Sequence, residues 1–343
     1  MSMNAQSFGP AVPQSPHWAH HLLVGPAALV IASLIDLYLV TQVFVVSTDP
    51  LVGVLSFFIF GATMGVPLQM LLARSAVGRS MDGRSRKSEA VSFSQVAVAM
   101  TGLLAAIATI AWLYCLRVAD AAVVLPLANL TPLIFALIEG AQGRIRFRHA
   151  VIPLLILLCG LYVFSTPGTT DLAGLTSMVI VLLLVRNLAA AGSEAAERSG
   201  SCGSASHFAA VRFAWLAGVG VPVAFMVAAT TGRLVECLGL MAEALPLAIP
   251  LHAVTMLLTF VGSVRRTQAK ATRPLTVCAA VYSTPLVIAP LVAAAVNEFV
   301  LNIFPTITGS LRLTAAAVLV VTAAMWLSVL RLPARHQTST QDS

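Results

Sequence analysis

Basic residues fall in every second gap between the long apolar runs of this chain. Arg74, Arg79, Arg84, Arg86 and Lys87 occupy the gap after the second run, Arg144, Arg146 and Arg148 the gap after the fourth, and Arg265, Arg266, Lys270 and Arg273 the gap after the eighth. Arg198 and the C-terminal Arg331 and Arg335 belong to the same alternate set, whereas the other gaps hold little beyond Arg117 and Arg233. Cytoplasmic loops retain Lys and Arg, so this alternation describes a chain threaded repeatedly through a membrane with its basic gaps and both termini in the cytoplasm.

The apolar runs lie near residues 22–46, 51–72, 93–115, 119–140, 150–166, 172–191, 207–230, 244–264, 274–297 and 308–330. Each covers about 17 to 25 residues, enough to cross roughly 30 Å of hydrocarbon as a helix. Peptide groups in lipid must be satisfied within their own segment, and the strict alternation of a barrel strand is missing, so the expected fold is an all-α bundle of about ten spans. Only 10% of the residues are charged, against about 25% in a typical soluble domain. The formal charge of +7 belongs to loops beside anionic headgroups and calls for membrane lipid rather than nucleic acid as its partner. Arg outnumbers Lys 18 to 2, a codon bias that suggests a high-GC bacterium and hence its inner membrane.

Several classes of function find no support in the residues. Cys115, Cys159, Cys202, Cys237 and Cys278 are dispersed singly, with neither metal spacing nor a disulfide framework. His17, His20 and His21 sit in an N-terminal stretch, 1–21, that reads as a disordered cytoplasmic tail and lacks a fourth ligand, so no metal site and no cofactor is expected. There is no His-Glu-x-x-His, no paired intramembrane acids and no phosphate loop, which argues against an intramembrane enzyme or an ATP-driven pump. A secondary transporter of a small-molecule substrate remains, with a non-transporting multi-span assembly or scaffold protein as the alternative. A homodimer is left open.

The chain divides at Pro167-Gly168-Thr169-Thr170-Asp171 into a first set of five spans, 22–168, and a second, 169–332, followed by a short tail, 333–343. Thr131-Pro132-Leu133 in the fourth span recurs as Thr284-Pro285-Leu286 in the ninth, 153 residues later. Two related halves of five spans each must lie in opposite senses across the membrane, the inverted-repeat plan of many carriers. Each proline stands about 11 or 12 residues into its span, close to the bilayer midplane. It removes an amide hydrogen and crowds the carbonyl four residues earlier, Ala128 or Val281, freeing backbone acceptors for a ligand. The other reading is that both prolines only kink packed helices.

The run from Tyr114 to Ala122, the Thr131-Pro132 span and the following apolar span with Gly160 resemble the end of an EamA-type repeat of the drug/metabolite transporter superfamily. In the second half, Glu298 follows Pro285 by 13 residues, a spacing common in that family, while Ile145 stands at the matching place in the first half. The resemblance implies ten helices in two inverted five-helix repeats that move a small organic solute by alternating access, driven by exchange or an ion gradient. It does not choose the cargo.

The expected substrate-binding residues are Asn129, Thr131 and Pro132 in the first repeat and Tyr282, Thr284 and Pro285 in the second, joined by His252, where an imidazole can titrate or donate. Asp36, the deepest carboxylate, is the candidate for proton coupling, since a charge within a span is costly unless it meets a cavity or a partner. A structural acid tied to a hydroxyl or to Arg186 is the alternative. Arg186 itself reads either as a fork for an anionic group or as a side chain snorkelling to the interface. Trp112 and Tyr114 fit an interfacial belt, Gly61 and Gly65 a close helix contact, and Glu139 and Glu298 water-exposed helix ends.

Overall fold

A computed structural model describes residues 18–45, 49–82, 95–118, 131–142, 177–200 and 204–272, with isolated residues from 275 to 296. Its helices are α1 (Trp18–Tyr38), α2 (Pro50–Arg74), α3 (Ala76–Met81), α4 (Gln95–Val118), α5 (Thr131–Ala141), α6 (Ser177–Gly200), α7 (Ala205–Thr230) and α8 (Leu234–Thr272), and a π-helical turn, Leu39–Val43, extends α1. Six segments are long and apolar enough to cross a membrane: Leu23–Val43, Pro50–Arg74, Val96–Cys115, Ser177–Glu197, Ala205–Thr230 and Leu234–Lys270. They correspond to the expected spans one, two, three, six, seven and eight, and make this a multi-pass membrane protein. The expected fifth and tenth spans lie outside the described residues, as does the first half of the fourth.

Local chemistry sets the helix ends. Asp49 caps α2 by accepting from Leu51 N at 2.9 Å, with Pro50 in the first turn where a missing amide costs nothing. Ser75 accepts from Val77 N and Gly78 N to open α3, and Ser204 accepts from His207 N to open α7. At the far end of α7, Gly232 takes a φ of 70°, Gly232 N donates to Ala229 O and Arg233 N to Ala228 O. This left-handed glycine reverses the chain in three residues. It also moves the start of the eighth helix to Leu234, ten residues before the apolar run that announces it. Glu236 and Glu243 interrupt the hydropathy there, yet the segment is a continuous helix.

Small residues fix how the helices run. A Cβ on Gly25 would fall 2.9 Å from Arg265 and one on Gly262 2.4 Å from Leu29, so α1 and α8 are antiparallel and in close contact. Gly65 faces Phe213 and Gly220 faces Phe58, which makes α2 and α7 antiparallel. Gly102 meets Trp215 and Ala106 meets Gly220, a parallel pairing of α4 and α7. Gly192 touches Leu104, and Cys115 lies against Val179, so α4 and α6 are antiparallel. Thus α1, α4 and α7 point one way and α2, α6 and α8 the other. α5 runs with α6, since Thr131 bonds Asn187 and, four residues on in each, Phe135 shares a cluster with Ala191.

Two ends of the bundle follow from this order. One carries Arg74, Arg79, Arg212, Arg265, Arg266 and Lys270 and is called the basic end below; the opposite end carries Asp49, Arg233 and Glu236. Near the opposite end and the middle, Leu39, Phe44, Val54, Leu55, Phe57, Phe60, Leu113 and Ala248 form the main apolar core. Phe44 packs on Phe57 and Phe60 at 5.6 Å between ring centroids. Large side chains on the outside, such as Ile180, Leu184 and Leu188 of α6, form a stripe at helical spacing that suits acyl chains.

α8 has 39 residues, about 58 Å, nearly twice the hydrocarbon thickness. Cys237 and His252, fifteen positions apart on it, contact Ser56 and Gly61, only five apart on α2. Its first part therefore does not run alongside α2. Pro246 and Pro250 lie between the two contacts, and proline is the usual cause of such a change of direction.

Candidate functional site

Three of the buried side-chain atoms left without a partner among the described residues belong to Asp36 on α1 and to His252 and Thr255 on α8. Asp36 lies seven residues beyond Leu29 on α1, and Thr255 seven residues before Gly262 on α8. Seven residues are two helical turns, so in this antiparallel register Asp36 and Thr255 stand at one level of the interface. Asp36 Oδ1 and Thr255 Oγ1 are both buried without a hydrogen-bond partner. The pairing of Asp36 with Arg186 that the sequence permits is not made. Arg186 NH1 instead donates to Asn187 Oδ1 at 3.3 Å.

His252 is three residues, nearly one turn, from Thr255 and is buried. Its Nε2 lies 2.9 Å from the carbonyl oxygen of Gly61, an oxygen that only accepts, so Nε2 carries the proton. Nδ1 is left as an acceptor, buried and with no donor. Glycine at 61 makes this possible. A Cβ there would stand 3.1 Å from His252 Cε1 and press the ring off the carbonyl. The imidazole also packs at 5.4 Å against Phe60 in a tilted contact, which ties it to the aromatic core. Asp36, Thr255 and His252 thus offer a carboxylate oxygen, a hydroxyl and a ring nitrogen, each desolvated and none internally bonded at the named atom. Such groups hold a proton, a water or a polar solute.

The chain irregularity beside this set is the π-helical turn from Leu39 to Val43, closed by Phe44 N donating to Leu39 O at 2.8 Å. It begins three residues after Asp36 and touches α2, α4 and α8. Single π turns collect at functional sites because they cost helix stability. Trp112 of α4, expected in the interfacial belt, packs instead against the main core with its indole N–H buried and unpartnered.

Three of the other expected site residues are described, each with neighbours different from these. Thr131 and Pro132 open the described part of α5 and are buried, with Thr131 Oγ1 donating to Asn187 Oδ1 at 3.4 Å. Tyr282 is buried beside Gly25 and Arg265, toward the basic ends of α1 and α8. Asn129, Thr284 and Pro285 lie outside the described residues, as does Glu298.

Glu139 requires a correction. Expected in water at a helix end, it is buried and accepts from Leu275 N at 3.0 Å, Thr276 N at 3.1 Å and Thr276 Oγ1 at 2.7 Å. A carboxylate across two successive amides does for the segment at Leu275 what an N-cap does from within a chain. It joins the fourth expected span to the start of the ninth.

Sequence reading also missed a second charged set at the basic end. Glu197 Oε1 accepts from Thr267 Oγ1 at 2.6 Å and Oε2 from Lys270 Nζ at 2.7 Å. Arg212 NH1 lies 3.7 Å from the same Oε2, and Glu194 Oε2 3.8 Å from Lys270 Nζ. The signal was present as two carboxylates at i and i+3 in the alanine-rich end of α6 and two cations, Arg266 and Lys270, at i and i+4 in α8. Both spacings place like charges on one helical face, which an opposing face must neutralise.

Comparison with known protein-family models and with curated proteins finds no match.

Proposed function

We propose that this chain is a secondary transporter of a small organic solute, working by alternating access and coupled to a gradient through Asp36. The observation that carries the proposal is an acid within an apolar span, with a buried and unbonded oxygen, at the level of Thr255 on a neighbouring span that also holds the unbonded Nδ1 of His252. A scaffold protein gains nothing from such an interface, since each unpaired buried polar atom costs about 1–3 kcal/mol. A carrier uses it, because a site that must load and release a proton cannot be permanently paired.

The wider frame is ten spans in two inverted five-helix repeats of the drug/metabolite transporter type, in a bacterial inner membrane with the basic end and both termini cytoplasmic. Two features support it. α5 ends at the basic end and α6 begins at the opposite one, an arrangement that fits a fifth span between them. Glu139 and Leu275, then Phe135 and Ala279, pair α5 and the start of the ninth span in an antiparallel sense. That is the relation inverted repeats impose on their equivalent helices.

The test begins with a thermal-shift screen of the purified chain against metabolite and drug panels, since a ligand of the native state raises its melting temperature. The stabilising compound is then offered to proteoliposomes under an imposed pH gradient. Wild-type protein accumulates or expels it. Asp36→Asn keeps the melting temperature and ligand binding but falls to the protein-free background. Undiminished gradient-driven flux in Asp36→Asn removes Asp36 from the mechanism, and no flux of any stabilising ligand by wild-type protein removes transport.

A further inference from the structure

Among the described residues the cluster at the basic end has more positive charge than its own acids neutralise. Lys270, Arg212 and Arg266 face Glu197 and Glu194, three cations against two carboxylates, and Arg266 lies within electrostatic reach of Glu197, Arg212 and Lys270. Glu197 is already committed to Thr267 and Lys270, and it reaches Arg212 only at 3.7 Å. Glu194 stands 3.8 Å from Lys270 and within electrostatic reach of Arg212, its Oε2 making no hydrogen bond. Arg265, the neighbour of Arg266, donates to Gln268 Oε1 at 3.1 Å.

The two Nε atoms decide the chemistry. Nε of Arg212 and Nε of Arg266 are both buried and have no acceptor. Nε and the adjacent terminal nitrogen form the edge of a guanidinium that takes two oxygens of a carboxylate or phosphate side by side. A buried edge of this kind without an acceptor is costly, and a surplus positive charge makes an anion the natural occupant. A neutral ligand would satisfy the donors and leave the charge.

We infer that the ends of α6, α7 and α8 form a binding site for an oxyanion, seated between Arg212 and Arg266 with Lys270 behind them. The apolar span of α6 ends at Glu197 and that of α8 at Lys270, so the site lies at the membrane surface. The phosphate of an anionic lipid headgroup and a free phosphate or carboxylate solute share the chemistry. The inference goes beyond the transport reading and does not rest on it, because it is measured as binding to the resting protein.

The full-length protein in neutral detergent is melted in rising sodium phosphate and in sodium chloride of equal ionic strength. In parallel it is melted in phosphatidylcholine nanodiscs with and without phosphatidylglycerol. Wild-type protein is stabilised by phosphate, by phosphatidylglycerol, or by both. Arg266→Gln weakens the apparent affinity by about tenfold or more, the loss expected for one charge-assisted contact. Among the described residues Arg266 makes no ion pair within 4 Å, so the variant breaks none and keeps the fold; Arg266→Lys retains the charge without the forked edge and loses most of the response as well. A response to phosphate alone assigns the site to a soluble anion, and one to phosphatidylglycerol alone to a lipid. No stabilisation beyond that of chloride and phosphatidylcholine overturns the site, and so does a response in both Arg266 variants as large as that of wild-type protein.

Discussion

The two ends of the bundle use the same ion-pair chemistry in opposite settings. At the opposite end Arg233 reaches Asp49 at 3.1 Å and Glu236 at 2.9 Å, with side chains 42%, 20% and 48% exposed. At the basic end Lys270 meets Glu197 at 2.7 Å with exposures of 0% and 1%. The first pair links the α1–α2 and α7–α8 connections on the surface, where water and salt replace its partners at little cost. The second joins α6 to α8 and cannot be opened without leaving a charge uncompensated. Among the described residues the ion pairing is therefore buried at the basic end and exposed at the other.

That contrast can be broken by exchanging partners. The largest effect belongs to Lys270→Met, which strands Glu197 and costs about 3–5 kcal/mol. Its melting temperature in detergent falls steeply, and adding Glu197→Gln restores part of the loss; a single variant as stable as wild type would show the buried pair to be no tighter than the surface pair. Glu139→Ala comes next, because two buried amides and a hydroxyl lose their acceptor at once, a cost of about 2–3 kcal/mol. Its measurable sign is faster hydrogen exchange at Leu275 and Thr276. Arg233→Ala is the smallest, within about 1 kcal/mol, and salt should abolish it. An Arg233→Ala variant that destabilises as much as Lys270→Met would erase the distinction between the ends.

The membrane-spanning framework was legible because it rests on composition. Runs of apolar residues located all six long helices, four of them to within three residues at each end, and the alternation of their directions follows from counting them. The start of α8 was missed by ten residues because Glu236 and Glu243 lower local hydropathy, while the turn that launches the helix depends on the backbone of Gly232. Asp36 and His252 stood out as polar residues in apolar runs, and each has a buried side-chain atom without a partner. Thr255 did not, since a threonine in a membrane helix ordinarily bonds its own backbone and gives no sign in sequence that it fails to do so. Glu197 and Glu139 were overlooked for a related reason: a carboxylate near a helix end looks solvated until the neighbour that buries it is known.

The sequence alone determined that this chain lives in a membrane as a helical bundle, because the length and apolarity of each run are local properties and lipid tolerates no other backbone there. It also selected Asp36 as the acid at greatest depth. Only the tertiary structure decided which polar atoms find partners. Hydrogen bonding across helices depends on rotation and register, and these are set by a few glycines, at 25, 61 and 262, whose missing side chains let particular faces meet.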